Sequence, residues 1–417
     1  MRKPPAIALT LLMVWVSADA SLPAAQIKPQ KNSVNAKAED PEWEATKKRL
    51  DLHGMDLASS MWGLTHGYSS KTELDKAMNL LQMMLDAMAK NDPSLVRSIG
   101  GVEGFLNRFQ EIMRSQRDDV VAGFAAKVLA VFGGDRFAPE IAAILKQRDR
   151  SWTKDVYPEP TVRGQAAVAL SMIGAGRYKA DIAALLRSMN QYDRSGALWA
   201  LANLKATEYA DDIARLLSKE NPAYRRQDEN AIHALIRLGV GDRYKKEIAA
   251  ALGEDASPEA NDAAVYALVH LHATEYVAQI AKLLDDRYRR GHAAKALAIL
   301  GAREYASKIA RMLDYEDDPL GQAAALLALG ILEANEYAPQ AAQIMRNKEK
   351  SYVCNYAEES LILMGNNDYL KEAAAYFDLS KAEAYIDGGD FDPLVDEEAR
   401  QIHQRFLANL KKAKAPK

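Results

Sequence analysis

The stretch that decides the fold is Thr161-Val162-Arg163-Gly164-Gln165-Ala166-Ala167-Val168-Ala169-Leu170, followed by Gly174 and then by Tyr178 to Leu186. Small and large apolar residues recur in it at helical spacing, and the glycine marks a turn between two helical segments. The same order returns along the chain, with an aromatic residue at the start of each second segment. These aromatics are spaced 29 to 41 residues apart and are Phe137, Tyr178, Tyr209, Tyr244, Tyr276, Tyr305, Tyr337 and Tyr369. Self-similarity at this period predicts a solenoid whose units bury their apolar faces against one another.

About eight copies of this unit, each with Ala-x-x-Ala-Leu in its first helix, occupy residues 118–379 of the 417-residue chain. Residues 1–20 are predicted to be a signal peptide, because Arg2 and Lys3 precede a short apolar segment and a small-x-small cleavage site at Ala18-Asp19-Ala20. Residues 21–40 are predicted to be a flexible leader, 41–117 an N-terminal helical cap, and 380–417 a C-terminal capping helix and tail. The expected location is therefore outside the cytoplasm, periplasmic or secreted. No segment is long enough for an integral membrane span.

Composition argues against some partner classes. The formal net charge is −3, so the basic excess expected of a nucleic-acid-binding protein is absent. Cys354 is the only cysteine. An intramolecular disulfide is therefore impossible, and a buried thiol is the expected state of Cys354. The oligomeric state cannot be inferred from these features.

The pattern Val-Arg-x-x-Ala-Ala-x-Ala-Leu, followed by a glycine-containing turn, resembles the HEAT-repeat family. It is most similar to the short bacterial HEAT-like repeats named from phycobiliprotein lyases, and the resemblance covers about two-thirds of the chain. It implies an all-α fold, a right-handed α-α superhelix with the first helix of each unit on the concave side. Arg163, Arg194 and Arg290 could face a ligand, but the resemblance implies that they tie a repeat to its neighbour. It does not imply lyase chemistry, and the last copy departs from the pattern at Glu358 and Glu359.

The repeat register predicts which side chains point away from the core. If the first alanine of Ala-x-x-Ala-Leu faces the core, the third position points outward, because successive helical residues turn by about 100°. We call this set the display row. It consists of Lys127, Val168, Trp199, His233, Tyr266, Lys295, Leu327 and Glu359.

Three consecutive members of the display row, Trp199, His233 and Tyr266, are predicted to bind a partner. A second outward row, two residues before each first alanine, places Ser195, Glu229 and Asp262 beside them. Exposed aromatics next to carboxylates are typical of binding hot spots. The alternative is that packing between repeats buries these rings.

Motifs for catalysis or metal binding do not occur in recognisable form, so we predict no catalytic residue, metal ligand or cofactor. Asp387-Gly-Gly-Asp390-Phe-Asp392 is rich in carboxylates, as calcium sites are, but the EF-hand order fails at Leu394. Residues 146–159 and 218–228 interrupt the period. They are either binding loops or tolerated surface loops.

These features predict an exported, non-catalytic scaffold that binds a protein or peptide on the concave face of a HEAT-like solenoid. One alternative is a lyase-like enzyme subunit or a small-ligand or chromophore chaperone with an aromatic-lined groove. Another is a cell-envelope interaction protein held near a surface by its N-terminal helices.

Overall fold

The computed structural model describes residues 44–53, 71–90, 92–115, 119–147, 161–217, 228–253, 256–315, 317–347, 351–377 and 396–415. In these ranges the chain forms α-helices, 3-10 helices and turns, without strands. The predicted all-α fold of repeated helix pairs is confirmed for these residues. None of the described helices is long and apolar enough to cross a membrane. The described chain divides into two compact units, residues 44–244 and 245–415.

The first unit is built from helix pairs, which are preceded in its described part by three α-helices outside the repeat. Its described α-helices are 44–53 (α1), Lys71–Ala89 (α2), Gly101–Ser115 (α3), Asp119–Gly133 (α4), Ala138–Leu145 (α5), Val162–Met172 (α6), Lys179–Ala184 (α7), Gln191–Asn203 (α8), Ala210–Ala214 (α9) and Asp228–Arg237 (α10). Its 3-10 helices are Pro93–Ile99, Gly134–Phe137, Gly176–Tyr178, Leu185–Arg187, Thr207–Tyr209, Arg215–Leu217 and Gly241–Tyr244.

The second unit continues the same alternation of first and second helices. Its described α-helices are Lys245–Ala250 (α11), Pro258–His270 (α12), Val277–Ile280 (α13), Arg290–Ile299 (α14), Ala306–Ala310 (α15), Pro319–Ile331 (α16), Ala338–Arg346 (α17), Ser351–Met364 (α18), Asn367–Ala374 (α19) and Asp396–Lys414 (α20). Its 3-10 helices are Thr274–Tyr276, Ala281–Asp285, Arg303–Tyr305, Arg311–Asp314 and Asn335–Tyr337.

In most repeats the first helix ends at a residue whose backbone has the left-handed conformation, with positive φ. In α6 this residue is Gly174 (φ +65°), and the next residue, Ala175, donates its N–H to the carbonyl of Leu170 at 3.0 Å. This is a Schellman turn, and it explains why the leucine and the turn recur together. Lys205 (φ +51°) and Glu333 (φ +53°) take the same conformation without being glycine.

The recurring aromatic begins the second helix, as predicted. Tyr178 ends a 3-10 turn, and α7 starts at the following residue. Phe137 and Tyr244 are buried at this position. The other tyrosines are half-buried, so the aromatic row is part of the scaffold of the fold.

In most repeats a side-chain donor three residues before the first alanine makes a hydrogen bond to a carbonyl of the turn ahead of the first helix. The Arg194 guanidinium donates to the Ser188 carbonyl at 2.6 Å, and the Gln322 amide donates to the Leu313 carbonyl at 2.7 Å. In the last repeat the Cys354 thiol donates to the Asn347 carbonyl at 2.8 Å. The thiol is buried, as expected, and it serves as the donor at this position.

Two arginines at the same position also connect neighbouring repeats. Arg163 donates to the buried Asp193 carboxylate of the next repeat. Arg290 lies 3.6 Å from Asp318, and its guanidinium stacks 4.5 Å from the centre of the Tyr315 ring. The linking role implied for these arginines by the HEAT resemblance is therefore seen in the structure.

Glycine allows α6 and α8 to approach closely. A Cβ atom at Gly164 would lie 2.4 Å from the Tyr192 carbonyl oxygen, and one at Gly196 would lie 2.4 Å from the Gly164 carbonyl oxygen. Both distances are shorter than real carbon–oxygen contacts, so this pair of helices requires glycine at both positions.

In each unit a helix outside the repeat donates hydrogen bonds to carbonyls near the ends of repeat helices. In the first unit, Arg49 of α1 donates to the Val131 carbonyl at 2.7 Å. In the second unit, Arg405 and Asn409 of α20 donate to the carbonyls of Ile331 and Ile362, each at 2.8 Å. The receiving carbonyls belong to the last turns of α4, α16 and α18, where the regular i→i+4 hydrogen bonds of the helix run out.

Candidate functional site

The display row reaches solvent in the middle of the array and is buried at its ends. Val168, Trp199, Tyr266 and Lys295 are half-buried, and His233 is exposed. The outward prediction is wrong for three members of the row, which are Lys127, Leu327 and Glu359, at 8%, 1% and 1% exposure. In α4 and α16 every side chain from Val120 to Phe132 and from Gly321 to Ile331 is buried, because other helices pack around them on all sides.

In the first unit, Trp199 of α8 lies against the next first helix, α10. The Arg237 guanidinium is 5.6 Å from the centre of the Trp199 ring, within the range of a cation–π interaction. The same guanidinium donates to Asn203 at 2.5 Å. Lys205 in turn donates to the Arg237 carbonyl at 3.1 Å. These contacts hold the indole in a defined position while part of it remains accessible.

The second outward row lies beside Trp199 in the same unit. The Asn230 amide of α10 donates to the Ser195 hydroxyl of α8 at 3.5 Å. Glu229, next to Asn230, is half-buried, and His233 follows one helical turn later. Ser195, Trp199, Glu229 and His233 thus occupy two adjacent helices, as the register predicts.

In the second unit, His292 and Lys295 of α14 lie near Asp262 and Tyr266 of α12. The sequence analysis did not select these two α14 residues as site residues. Asp262 Oδ1 is 2.9 Å from His292 Nδ1 of α14. Lys295 follows His292 by one helical turn, as Tyr266 follows Asp262. Burial lowers the pKa of Lys295, and the nearby carboxylate of Asp262 partly opposes this effect.

The six predicted binding residues therefore belong to two units. Ser195, Trp199, Glu229 and His233 lie in the first unit, whereas Asp262 and Tyr266 lie in the second. His292 was missed because it stands one residue before the first alanine, outside both outward rows. The only signal in the sequence is its distance of about one repeat from Asp262.

Two further polar clusters are buried within the scaffold. Asp193 accepts hydrogen bonds from Thr161 at 2.5 Å and from Ser188 at 2.6 Å, besides its ion pair with Arg163. In the last repeat, burial raises the pKa of Glu358 to about 7. The buried Asp193 carboxylate is thus satisfied by hydrogen-bond donors, whereas burial shifts Glu358 towards its neutral form.

Among the described residues, no group of three or more histidine, cysteine, aspartate or glutamate side chains could hold a metal ion. Asp387–Asp392 lies outside the described residues, and so do 148–159 and 218–227 of the two predicted loops. The calcium and binding-loop interpretations of these segments stay predictions.

No family model and no curated protein matches this chain. Among solved structures it is similar to a chain of the complex of CpcE and CpcF of phycocyanin lyase from Nostoc sp. PCC7120. The identity is 20% and the TM-score 0.34, and the match covers 61% of this chain and 94% of that chain. A likeness at this level carries no argument, and the all-α repeat architecture rests on the repeated helix pairs themselves.

Proposed function

We propose that this protein is an exported, non-catalytic helical-repeat scaffold that binds a protein or peptide through its display row. The observation that carries the proposal is the accessibility of Trp199, His233 and Tyr266. Each stays in contact with solvent, although the residues immediately before and after it in the helix are buried. Large aromatic side chains at such positions contribute little to the core of their own repeat.

The composition of these positions suits recognition of a polypeptide. Tryptophan and tyrosine combine a large apolar surface with a hydrogen-bonding group, and they are enriched among residues that dominate binding energy. The stacking of Arg237 on Trp199 orders the indole before a partner arrives. Less conformational entropy is then lost on binding.

Export is supported by the first twenty residues. Their basic start, short apolar segment and small-x-small site are the features of a cleaved signal peptide. Intact-mass measurement of the protein recovered from its native host tests this part of the proposal. Cleavage after Ala20 is expected, whereas a protein that retains Met1 to Ala20 in the cytoplasm would refute export.

The binding role is tested with a variant that carries Trp199→Ala, His233→Ala and Tyr266→Ala together. Partners captured by the wild-type protein from the envelope fraction are first identified by mass spectrometry, and their affinity is then measured with purified components. The variant should bind at least about 100-fold more weakly, because truncation of a hot-spot residue costs about 2 kcal/mol or more. Its melting temperature should fall by only a few degrees.

A control variant carries Arg215→Ala, Lys246→Ala and Lys282→Ala, three exposed positions outside the display row. It should bind like the wild type. Equal binding by both variants would contradict the proposal. A collapse in the stability of the display-row variant would show that the three rings belong to the core.

A second candidate function is an enzyme subunit or a small-ligand chaperone. It is favoured by the second unit, where Asp262, His292 and Lys295 bring three titratable groups together on α12 and α14. Co-purification of a small or coloured ligand, lost on substitution of these residues, would support this candidate over the scaffold.

A further inference from the structure

The exposed large apolar side chains of the second unit all lie at one edge, among its described residues. This edge holds the turns that lead from the second helix of one repeat into the first helix of the next. Its members are 40% to 87% exposed and are Tyr288, Tyr315, Leu320, Tyr352 and Tyr376. Single exposed apolar residues scattered over a surface are ordinary, whereas a set confined to one edge indicates a contact surface.

Three of these side chains stand in the register of the repeat. Tyr288, Leu320 and Tyr352 are spaced by 32 residues each, and each precedes the first alanine of its repeat by five residues. We call these three residues the edge row. Helix α14 packs against α16, and α16 packs against α18. Since packed helices lie about 8–10 Å apart, the edge row extends over about 16–20 Å. It begins at α14, because α12 has Glu259 at this position.

Local contacts order the edge row in advance. The Tyr352 ring lies 5.2 Å from the ring of buried Tyr356, in an edge-on arrangement, and the two hydroxyl oxygens are 3.3 Å apart. The backbone N–H of Tyr288 donates to the Asp286 carboxylate at 2.8 Å, which fixes the turn ahead of α14. A surface ordered in this way loses less conformational entropy when a partner binds.

The charges beside the edge row compensate one another. Arg287 lies 3.1 Å from Asp317, and Arg290 lies 3.6 Å from Asp318, so both arginines pair with aspartates of the next repeat. The Arg290 guanidinium also stacks on the Tyr315 ring. Charge complementarity therefore favours a partner segment without net charge, and it disfavours nucleic acid and strongly charged peptides.

The spacing of the edge row matches one peptide conformation. A polyproline II helix has three residues per turn and rises about 3.1 Å per residue, so one turn covers about 9 Å, the distance between neighbouring first helices. An extended strand presents the same face about every 6.7 Å, which does not match. An α-helix is about 10–12 Å wide, broader than a row of single side chains. The carbonyls of polyproline II have no internal partner, and tyrosine hydroxyls can donate to them.

We propose that the edge row binds an uncharged, proline-rich segment of a partner protein in the polyproline II conformation. Prolines three residues apart contact Tyr288, Leu320 and Tyr352 in turn, as in other aromatic surfaces that recognise proline-rich peptides. The edge row shares no residue with the display row and lies two helical turns from it on the same first helices. The proposal does not rest on binding by the display row.

The test measures binding of fluorescently labelled decaproline to the purified full-length protein by fluorescence anisotropy, with a glycine-serine peptide of the same length as reference. The wild type should bind decaproline saturably and should not bind the reference peptide. A variant with Tyr288→Ala, Leu320→Ala and Tyr352→Ala should bind at least about 25-fold more weakly, because each truncated aromatic contributes about fivefold or more. No saturable binding by the wild type up to about 1 mM decaproline, or unchanged binding by this variant, would overturn the proposal.

Folding of the variants is checked by circular dichroism. The double variant Tyr288→Ala and Leu320→Ala changes only side chains that are 87% and 67% exposed, and it should still weaken binding at least about fivefold. Tyr376→Ala is the matched control, since this tyrosine is 60% exposed at the same edge but stands outside the edge row. It should bind decaproline like the wild type, and so should the display-row variant.

Two other occupants of the edge row are tested with the same variants. Sedimentation equilibrium detects a second copy of the chain, and flotation with vesicles of phosphatidylcholine and phosphatidylglycerol detects a membrane surface. The wild type should neither self-associate nor float through the edge row. Self-association or vesicle binding that is lost in the triple edge-row variant would assign the row to that occupant and contradict the proposal.

Discussion

Substitution of Gly164 by alanine should weaken the first unit strongly. The new Cβ would lie 2.4 Å from the Tyr192 carbonyl oxygen and 3.1 Å from the Thr161 hydroxyl oxygen. Both neighbours are tied down, since Tyr192 contributes backbone within α8 and Thr161 caps α6. The helices must separate by about 1 Å, and overpacking of this kind costs about 1–3 kcal/mol.

Gly291 provides a matched comparison, because it stands at the same repeat position in an Arg-Gly pair. A Cβ there would lie 3.3 Å from the Ala324 side chain, which needs a shift of only a few tenths of an ångström. Alanine also favours helix over glycine by up to about 1 kcal/mol. Gly291→Ala should therefore be close to neutral, whereas Gly164→Ala should lose about 2 kcal/mol.

The assay is thermal and urea unfolding followed by circular dichroism on the two variants and the wild type. A loss of about 2 kcal/mol in a unit of this size corresponds to a melting temperature lower by about 4–8 °C. Equal stability of the two variants would show that α6 and α8 are not packed backbone to backbone, and the reasoning would be refuted.

Three other predictions concern single positions. Gly174→Ala should lower the free energy of unfolding, measured by urea titration, by about 1 kcal/mol. The loss comes from the left-handed φ of +65° alone, because nothing lies within 4 Å of the added Cβ. The nearby Gly176→Ala should leave the free energy of unfolding unchanged. Glu358→Gln should raise the melting temperature at pH 8 but not at pH 4. Burial raises the pKa of Glu358 in the folded protein to about 7, so its buried carboxylate destabilises the fold fully above pH 7 and not at all below about pH 4.5. Cys354 should react with an aromatic disulfide reagent at least about 100-fold more slowly in the folded protein than in denaturant, because its buried thiol is hydrogen-bonded.

The helix pairs could be predicted because they depend on local pattern. Ala-x-x-Ala-Leu and the following glycine place a Schellman turn after each first helix, and the aromatic then begins the second helix. The register extends this prediction to Lys205 and Glu333, which occupy the position held by Gly174 and adopt its left-handed φ. A local signal is sufficient because each turn is closed by hydrogen bonds within its own repeat.

The accessibility of the display row could be predicted only in part. The helical angle alone places Trp199, His233 and Tyr266 outward, and these side chains do reach solvent. The same angle fails for Leu327 and Glu359, because their burial depends on how the neighbouring repeats, and α20 in the case of α18, pack around these helices. The period of the repeat does not contain that information.

The Asp262–His292 pair was missed for a related reason. The rows were built from one position per helix, whereas this contact joins different positions on α12 and α14. Its two members are 30 residues apart, close to one repeat. A search for complementary polar residues at the repeat distance, rather than along one row, would have found it.

Photo-crosslinking from inside the display row tests the central claim most directly. The photoreactive residue p-benzoylphenylalanine replaces His233, an exposed member of the row, or Arg215, an exposed residue on the second helix of the preceding pair. After irradiation in the native host, the account predicts a discrete crosslinked protein from position 233 and none from position 215. Crosslinking at 215 and not at 233 would contradict binding through the display row.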